Sequence, residues 1–162
     1  FFTDQDEKRL LYELSKMSNK NHLRLTKLAL TTGFRRSELL SLTWRNIDLK
    51  KRVIYINRKN CAAIDDSSVL RLVPLPEKAQ KILEELQRRD GKVIELSKGS
   101  ARHGFDKARK KAGLETLRFH DLRHIAISRM WRSGMSALEI SACSGHRDIK
   151  MLMRYSHFQL SI

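Results

Sequence analysis

Cysteine, proline and acidic residues are all scarce in this chain of 162 residues. Each scarcity excludes something. The two cysteines, Cys61 and Cys143, lie far apart and form no Cys-x-x-Cys pair, so neither a disulfide framework nor a zinc ribbon is indicated, and a reducing compartment fits. No apolar run approaches the roughly 20 residues that span a bilayer, and Phe1-Phe2-Thr3-Asp4 lacks a basic region leading into an apolar stretch, so the chain reads as soluble and intracellular. Also absent are a Gly-x-x-x-x-Gly-Lys-Ser/Thr loop, a His-Glu-x-x-His pair, a Cys/His array at finger spacing, and an aspartate cluster suited to two-metal chemistry. What remains is a mechanism without bound nucleotide or metal. The chain starts without Met at what reads as a domain edge, which suggests a fragment of something longer.

What is present is positive charge. Lys and Arg number 33 against 18 Asp and Glu, a net charge of +15, so a polyanion is the first partner to consider. Lys50-Lys51-Arg52, Arg58-Lys59, Arg102-His103 and the run from Lys107 to Lys111 gather the charge around the middle of the chain. Each phosphate neutralised on duplex DNA releases about 0.9 of a counterion, so binding by such a face should fall steeply with salt. A hydrophobic content of 41% is enough for one domain with its own core.

Hydrophobic periodicity predicts helices over about 4 to 17, from Leu23 to a stop at Gly33, over Ser37 to Leu42, and over Glu77 to Arg89. It predicts more over about 101 to 111, 121 to 133 and 136 to 143, with a short one from 148 through Tyr155. Gly33 marks a bend or a tight contact between helices. Alternation at Val53 to Ile56 and again at Val69 to Val73 predicts one antiparallel hairpin, and Val93-Ile94 is a short strand or an extended segment. The fold class is therefore mainly α with a small antiparallel sheet and no βαβ rhythm. Trp44 and Trp131 have the spacing of packing residues.

Three stretches combine Arg, His and Tyr. They are Thr32-Gly33-Phe34-Arg35-Arg36-Ser37-Glu38, then His120-Asp121-Leu122-Arg123-His124, then Ser144-Gly145-His146 with Arg154-Tyr155-Ser156-His157. As an ordered set, with Tyr155 nine residues after His146, they resemble the catalytic domain of the tyrosine recombinases, the phage-integrase and Xer-like family, from Thr3 to about Phe158. The resemblance implies the DNA breaking-rejoining fold. It also implies that Arg35 and Arg123 are the catalytic arginines, Glu38 their support, His120 and His146 the histidines, and Tyr155 the nucleophile. Lys59, in the hairpin loop, best matches the family lysine, with Lys51 the weaker alternative.

Chemistry agrees with these roles. Two guanidiniums can hold a phosphate and offset the charge that develops on its non-bridging oxygens. A phenol with an ordinary pKa near 10 needs a base, for which His120 is the candidate. His146 suits hydrogen bonding to a non-bridging oxygen, and an ammonium such as that of Lys59 can protonate the leaving 5′-oxygen. No cofactor or metal is called for. His124 and His157 stand near the motifs without a role, His157 reading as a cap or packing residue. Many relatives have Leu-Gly-His where this chain has Ser144-Gly145-His146, a change expected to alter packing more than chemistry.

The resemblance further implies double-stranded DNA as partner, a homotetramer on DNA in the full-length protein, possible accessory DNA-bending proteins, and the cytoplasm of a bacterial or phage-infected cell, at the nucleoid. On this reading residues 1–162 are one catalytic domain that lacks an N-terminal core-binding domain and a C-terminal docking segment. Such a fragment should be monomeric, with Tyr155 poorly held. Two other readings keep the same residues: nicking and resealing like a type IB topoisomerase, and a DNA-binding accessory module with a vestigial site.

Overall fold

Thr3 starts the first helix with a reciprocal cap. Its hydroxyl accepts from the Asp6 amide at 3.1 Å and the Asp6 carboxylate accepts from the Thr3 amide at 2.8 Å. The computed structural model describes residues 2–57, 70–86 and 89–159, so Lys59 and Cys61 lie outside the described residues, as does the side chain of His157. Helices α1 (Asp4–Ser15), α2 (Asn21–Thr32) and α3 (Arg36–Ser41) lead through a 3-10 turn (Trp44–Asn46) to strands β1 (Ile47–Asp48), β2 (Val53–Asn57) and β3 (Leu70–Pro74). Then follow α4 (Glu77–Glu84), α5 (Lys98–Lys111), α6 (Phe119–Arg132), α7 (Ala137–Ser144) and a terminal 3-10 segment (Ile149–Gln159).

The expected class holds, with corrections at the edges. The sheet is antiparallel in the order β1-β2-β3, with Tyr55 opposite Leu72, and β1 is a two-residue strand too short to show as alternation. Val93 and Ile94 form no strand; they are buried, and the Val93 amide donates to the Leu42 carbonyl at 3.0 Å, beside a single bridge between Thr43 and Lys92. Helix α4 stops at Glu84 rather than running to Arg89. Leu83 is its last fully buried residue. The terminal segment from Ile149 is 3-10 rather than α.

The core is continuous from Leu10 and Leu14 of α1 through Leu25 and Leu28 of α2 to Leu122 and Ile127 of α6, with both tryptophans buried in it. Gly33 is the point where this packing creates a site. It caps α2 in the left-handed region, at φ 68°, and a Cβ there would come within 3.5 Å of Ala126 on α6. That close approach brings the Gly33 carbonyl and the residues after it against the first half of α6.

Candidate active site

Arg35 follows Gly33 and buried Phe34 as the extended residue that opens α3. Its amide donates to Glu38 Oε2 at 2.8 Å, and its Nη1 lies 3.4 Å from Glu38 Oε1. The Arg35 side chain is 46% exposed while that of Glu38 is 5% exposed, so the carboxylate forms a buried base for a guanidinium that reaches into solvent. Arg71 of β3, absent from the sequence-based candidates, approaches the same Glu38 Oε1 at 3.3 Å from the buried side.

Helix α6 supplies the other wall. Leu122, Ala126 and Ile127 face the core, which leaves His120, Arg123 and His124, at i, i+3 and i+4, on one adjoining face. Arg123 is 3% exposed; its Nη1 donates to the Gly33 carbonyl at 2.6 Å and its Nη2 faces the His146 ring, 3.3 Å from Nδ1 and 3.5 Å from Nε2. Burial, with Arg35 nearby, lowers its pKa to about 10, so it remains a cation at neutral pH.

His146 stands just past α7, where Gly145 turns the chain at φ 73°. Ser144, fully buried, donates its single hydroxyl proton to the Ile140 carbonyl at 2.7 Å. Its hydroxyl also lies 2.6 Å from His146 Nδ1. Ser144 and Arg123 Nη2 thus both lie against the Nδ1 side of the ring. Burial, with Arg123 and Arg35 close by, lowers the His146 pKa to about 4. Ser144 thus meets the histidine ring directly through its hydroxyl.

Tyr155 belongs to the terminal 3-10 segment, anchored by fully buried Leu152. The tyrosine is 7% exposed, its ring stacks on His124 with centroids 5.9 Å apart, and its hydroxyl hydrogen-bonds His124 Nδ1. Both contacts come from within the chain itself. Burial raises its pKa. The residue at the hydroxyl is His124, while His120 packs edge-on against the His124 ring at 4.9 Å. Burial lowers the pKa of both histidines, which leaves them neutral and able to accept a proton.

One cleft of about 1180 Å³ is lined by Arg35, Glu38, Arg71, His120, Arg123, His124, His146 and Tyr155. Six of the seven residues singled out by their motifs, Glu38 included, therefore meet; Lys59, the seventh, lies outside the described residues. Of the two that sequence reasoning missed, His124 had a usable signal, since it is i+4 from His120. Arg71 had only the strand alternation that turns Val73 inward. No His, Cys, Asp or Glu cluster among the described residues could hold a metal ion, and no described helix is long and apolar enough to cross a membrane.

The family model described as the phage integrase family matches residues 1–161. The shufflon-specific DNA recombinase of Escherichia coli is 36% identical over 135 residues, covering 82% of this chain and 33% of that protein. The integrase of Salmonella phage P22 is 30% identical over 147 residues, covering 82% and 38%. The chain thus spans little more than a third of these relatives. Among solved structures, the catalytic domain of bacteriophage HP1 integrase superposes with a TM-score of 0.76 at 25% identity, over 98% of this chain and 87% of that one. XerA recombinase shares the fold, with a TM-score of 0.71 at 21% identity, over 97% of this chain and 60% of that one. A match across nearly the whole chain, on a fold that gathers the motif residues in one cleft, means that this chain belongs to the phage integrase family, the tyrosine recombinases, and corresponds to their catalytic domain.

Proposed function

We propose that this domain breaks and rejoins double-stranded DNA at specific sites by metal-free transesterification through Tyr155. The observation that carries the reading is the position of the Tyr155 hydroxyl: buried, engaged by a neutral histidine, and in the same cleft as Arg35, Arg123 and His146. Arg35 and Arg123 clamp the scissile phosphate and offset the charge that builds on its non-bridging oxygens. The Tyr155 oxygen attacks phosphorus while its proton passes to His124, with His120 alongside as the second acceptor. The P–O5′ bond breaks as the P–O(Tyr155) bond forms, and the 5′-oxygen leaves with a proton from Lys59. Attack by the 5′-hydroxyl of a partner strand reverses the step, so one phosphoester is exchanged for another and no outside energy source is needed.

His146 takes its part only after DNA arrives. The ring faces Arg123, and a phosphate anion between them favours its protonation, which makes the imidazolium a donor toward a non-bridging oxygen. The net charge of +15 holds the duplex, and in the intact protein four protomers carry out the exchange, with accessory DNA-bending proteins where the site requires them.

A suicide duplex, nicked next to the scissile phosphate so that the freed end diffuses away, tests the reading. The intact protein should give a denaturation-resistant adduct that is lost with Tyr155→Phe. An adduct that persists in Tyr155→Phe, or none with the native tyrosine, would sink it.

A further inference from the structure

Arg71 is an arginine inside the protein. It projects from β3 on the same inward face as Val73, is 7% exposed, and lines the cleft from beneath. Its guanidinium lies 5.6 Å from the Phe34 ring centroid, and its Nη1 fills the space beside the Gly145 turn so completely that a Cβ on Gly145 would sit 1.6 Å from it. Nε and Nη2 are buried without a hydrogen-bond partner. A cation buried with two idle donors is costly, and an apolar side chain of similar volume is often the more stable occupant of such a position. Stability alone therefore does not explain Arg71.

Its ion pair does. Glu38 Oε1 lies between two guanidiniums, 3.3 Å from Arg71 Nη1 and 3.4 Å from Arg35 Nη1. Alone with Arg35, the Glu38 carboxylate would cancel the positive charge that the phosphate requires. With Arg71 behind it the trio keeps one net positive charge, and the exposed member of the trio is Arg35. We propose that Arg71 is a positioning residue that neutralises Glu38 from the buried side, leaving the charge of Arg35 free for the phosphate. It never touches DNA. The inference rests on the Tyr155 reaction proposed above.

The test compares adduct formation by the intact protein on two suicide duplexes, one with an ordinary scissile phosphodiester and one with an uncharged methylphosphonate at that position. Arg71→Met should slow the phosphodiester reaction about 30-fold or more and the methylphosphonate reaction less than about 5-fold, because an uncharged centre has little need of a freed cation. Adding Glu38→Gln to Arg71→Met should recover about 5-fold of the phosphodiester loss, since the carboxylate that cancels Arg35 is gone. Arg71→Lys, which keeps the charge, should remain within about 5-fold of the native rate. Equal slowing on both substrates, no recovery in the double variant, or a lysine variant as slow as methionine would each overturn the inference. If Arg71→Met does not fold, Arg71→Gln removes the charge while keeping a donor for Glu38, and the same two-substrate ratio decides. A native protein that forms no adduct on the phosphodiester removes the Tyr155 reading instead, so the two failures are distinct.

Discussion

The two walls of the cleft hold their arginines in opposite ways. On the α6 wall Arg123 is 3% exposed and fixed at both ends of its guanidinium, by the Gly33 carbonyl and by the His146 ring. On the α3 wall the Arg35 side chain is 46% exposed and tethered through one carboxylate. The first is held by the packing around it, because the carbonyl it binds ends α2 in contact distance of Ala126 on α6. The second can follow a ligand. The proposed reaction would use this difference, with Arg123 as a fixed point for the phosphate and Arg35 as a second cation free to approach it.

Arginine substitution should break the comparison most sharply. Arg123→Lys cannot satisfy both the carbonyl and the ring, so adduct formation should fall by about 1000-fold or more, and removal of a charge-assisted buried hydrogen bond should cost about 2 kcal/mol in urea denaturation. Arg35→Lys should slow adduct formation by about 100-fold and leave stability within about 0.5 kcal/mol, since its side chain is half in solvent. If both variants lose stability equally, the walls are not different in kind.

The next largest effect is on pH. In the free domain His146 has its pKa lowered to about 4, and the pKa values of His120 and His124 are lowered by burial as well. In the unfolded chain histidine titrates near 6.5, so the unfolded state takes up protons first and stability is lost as the pH falls from about 6.5 toward 4. Thermal denaturation across that window should show the loss, and His146→Asn should make it shallower. DNA binding acts in the opposite sense, because a phosphate anion raises the His146 pKa. Affinity at constant salt should therefore rise by a few-fold between about pH 7 and pH 5.5, with proton uptake measurable by calorimetry in two buffers. Affinity that weakens on acidification would show that the phosphate does not reach the His146 side of the clamp.

The same contrast between walls sorts what was legible in the sequence. The fold class follows from periodicity, and the shared face of His120 and Arg123 from their short interval, whereas the gathering of the other motif residues was legible only through the family resemblance. Arg71 was not legible, because a charged residue between Leu70 and Leu72 reads as the solvent side of a strand. In the fold Leu72 is 55% exposed and Arg71 is buried, an inversion that depends on Glu38, thirty-three positions earlier in the chain. The hold on Tyr155 was equally hidden, since it depends on pairing two residues of unrelated segments, His124 and Tyr155. What stayed hidden is the long-range polar pairing, which no periodicity encodes.

The smallest effect concerns Ser144 of α7, which touches the His146 ring that faces Arg123. Ser144→Ala removes the hydroxyl that lies 2.6 Å from His146 Nδ1 while keeping a small buried side chain. Arg123 Nη2, 3.3 Å from the same nitrogen, is then left as the side-chain partner of Nδ1. Loss of one net hydrogen bond costs about 1 kcal/mol, which corresponds to roughly 5-fold in adduct formation if the ring position is spent entirely on the transition state. The optimum of the pH–rate profile should move as the basicity of the ring changes, whereas a packing effect alone would lower the rate at every pH alike. A change in rate without a change in profile would therefore return Ser144 to a packing role and leave Arg123 as the sole polar constraint on His146 from that wall.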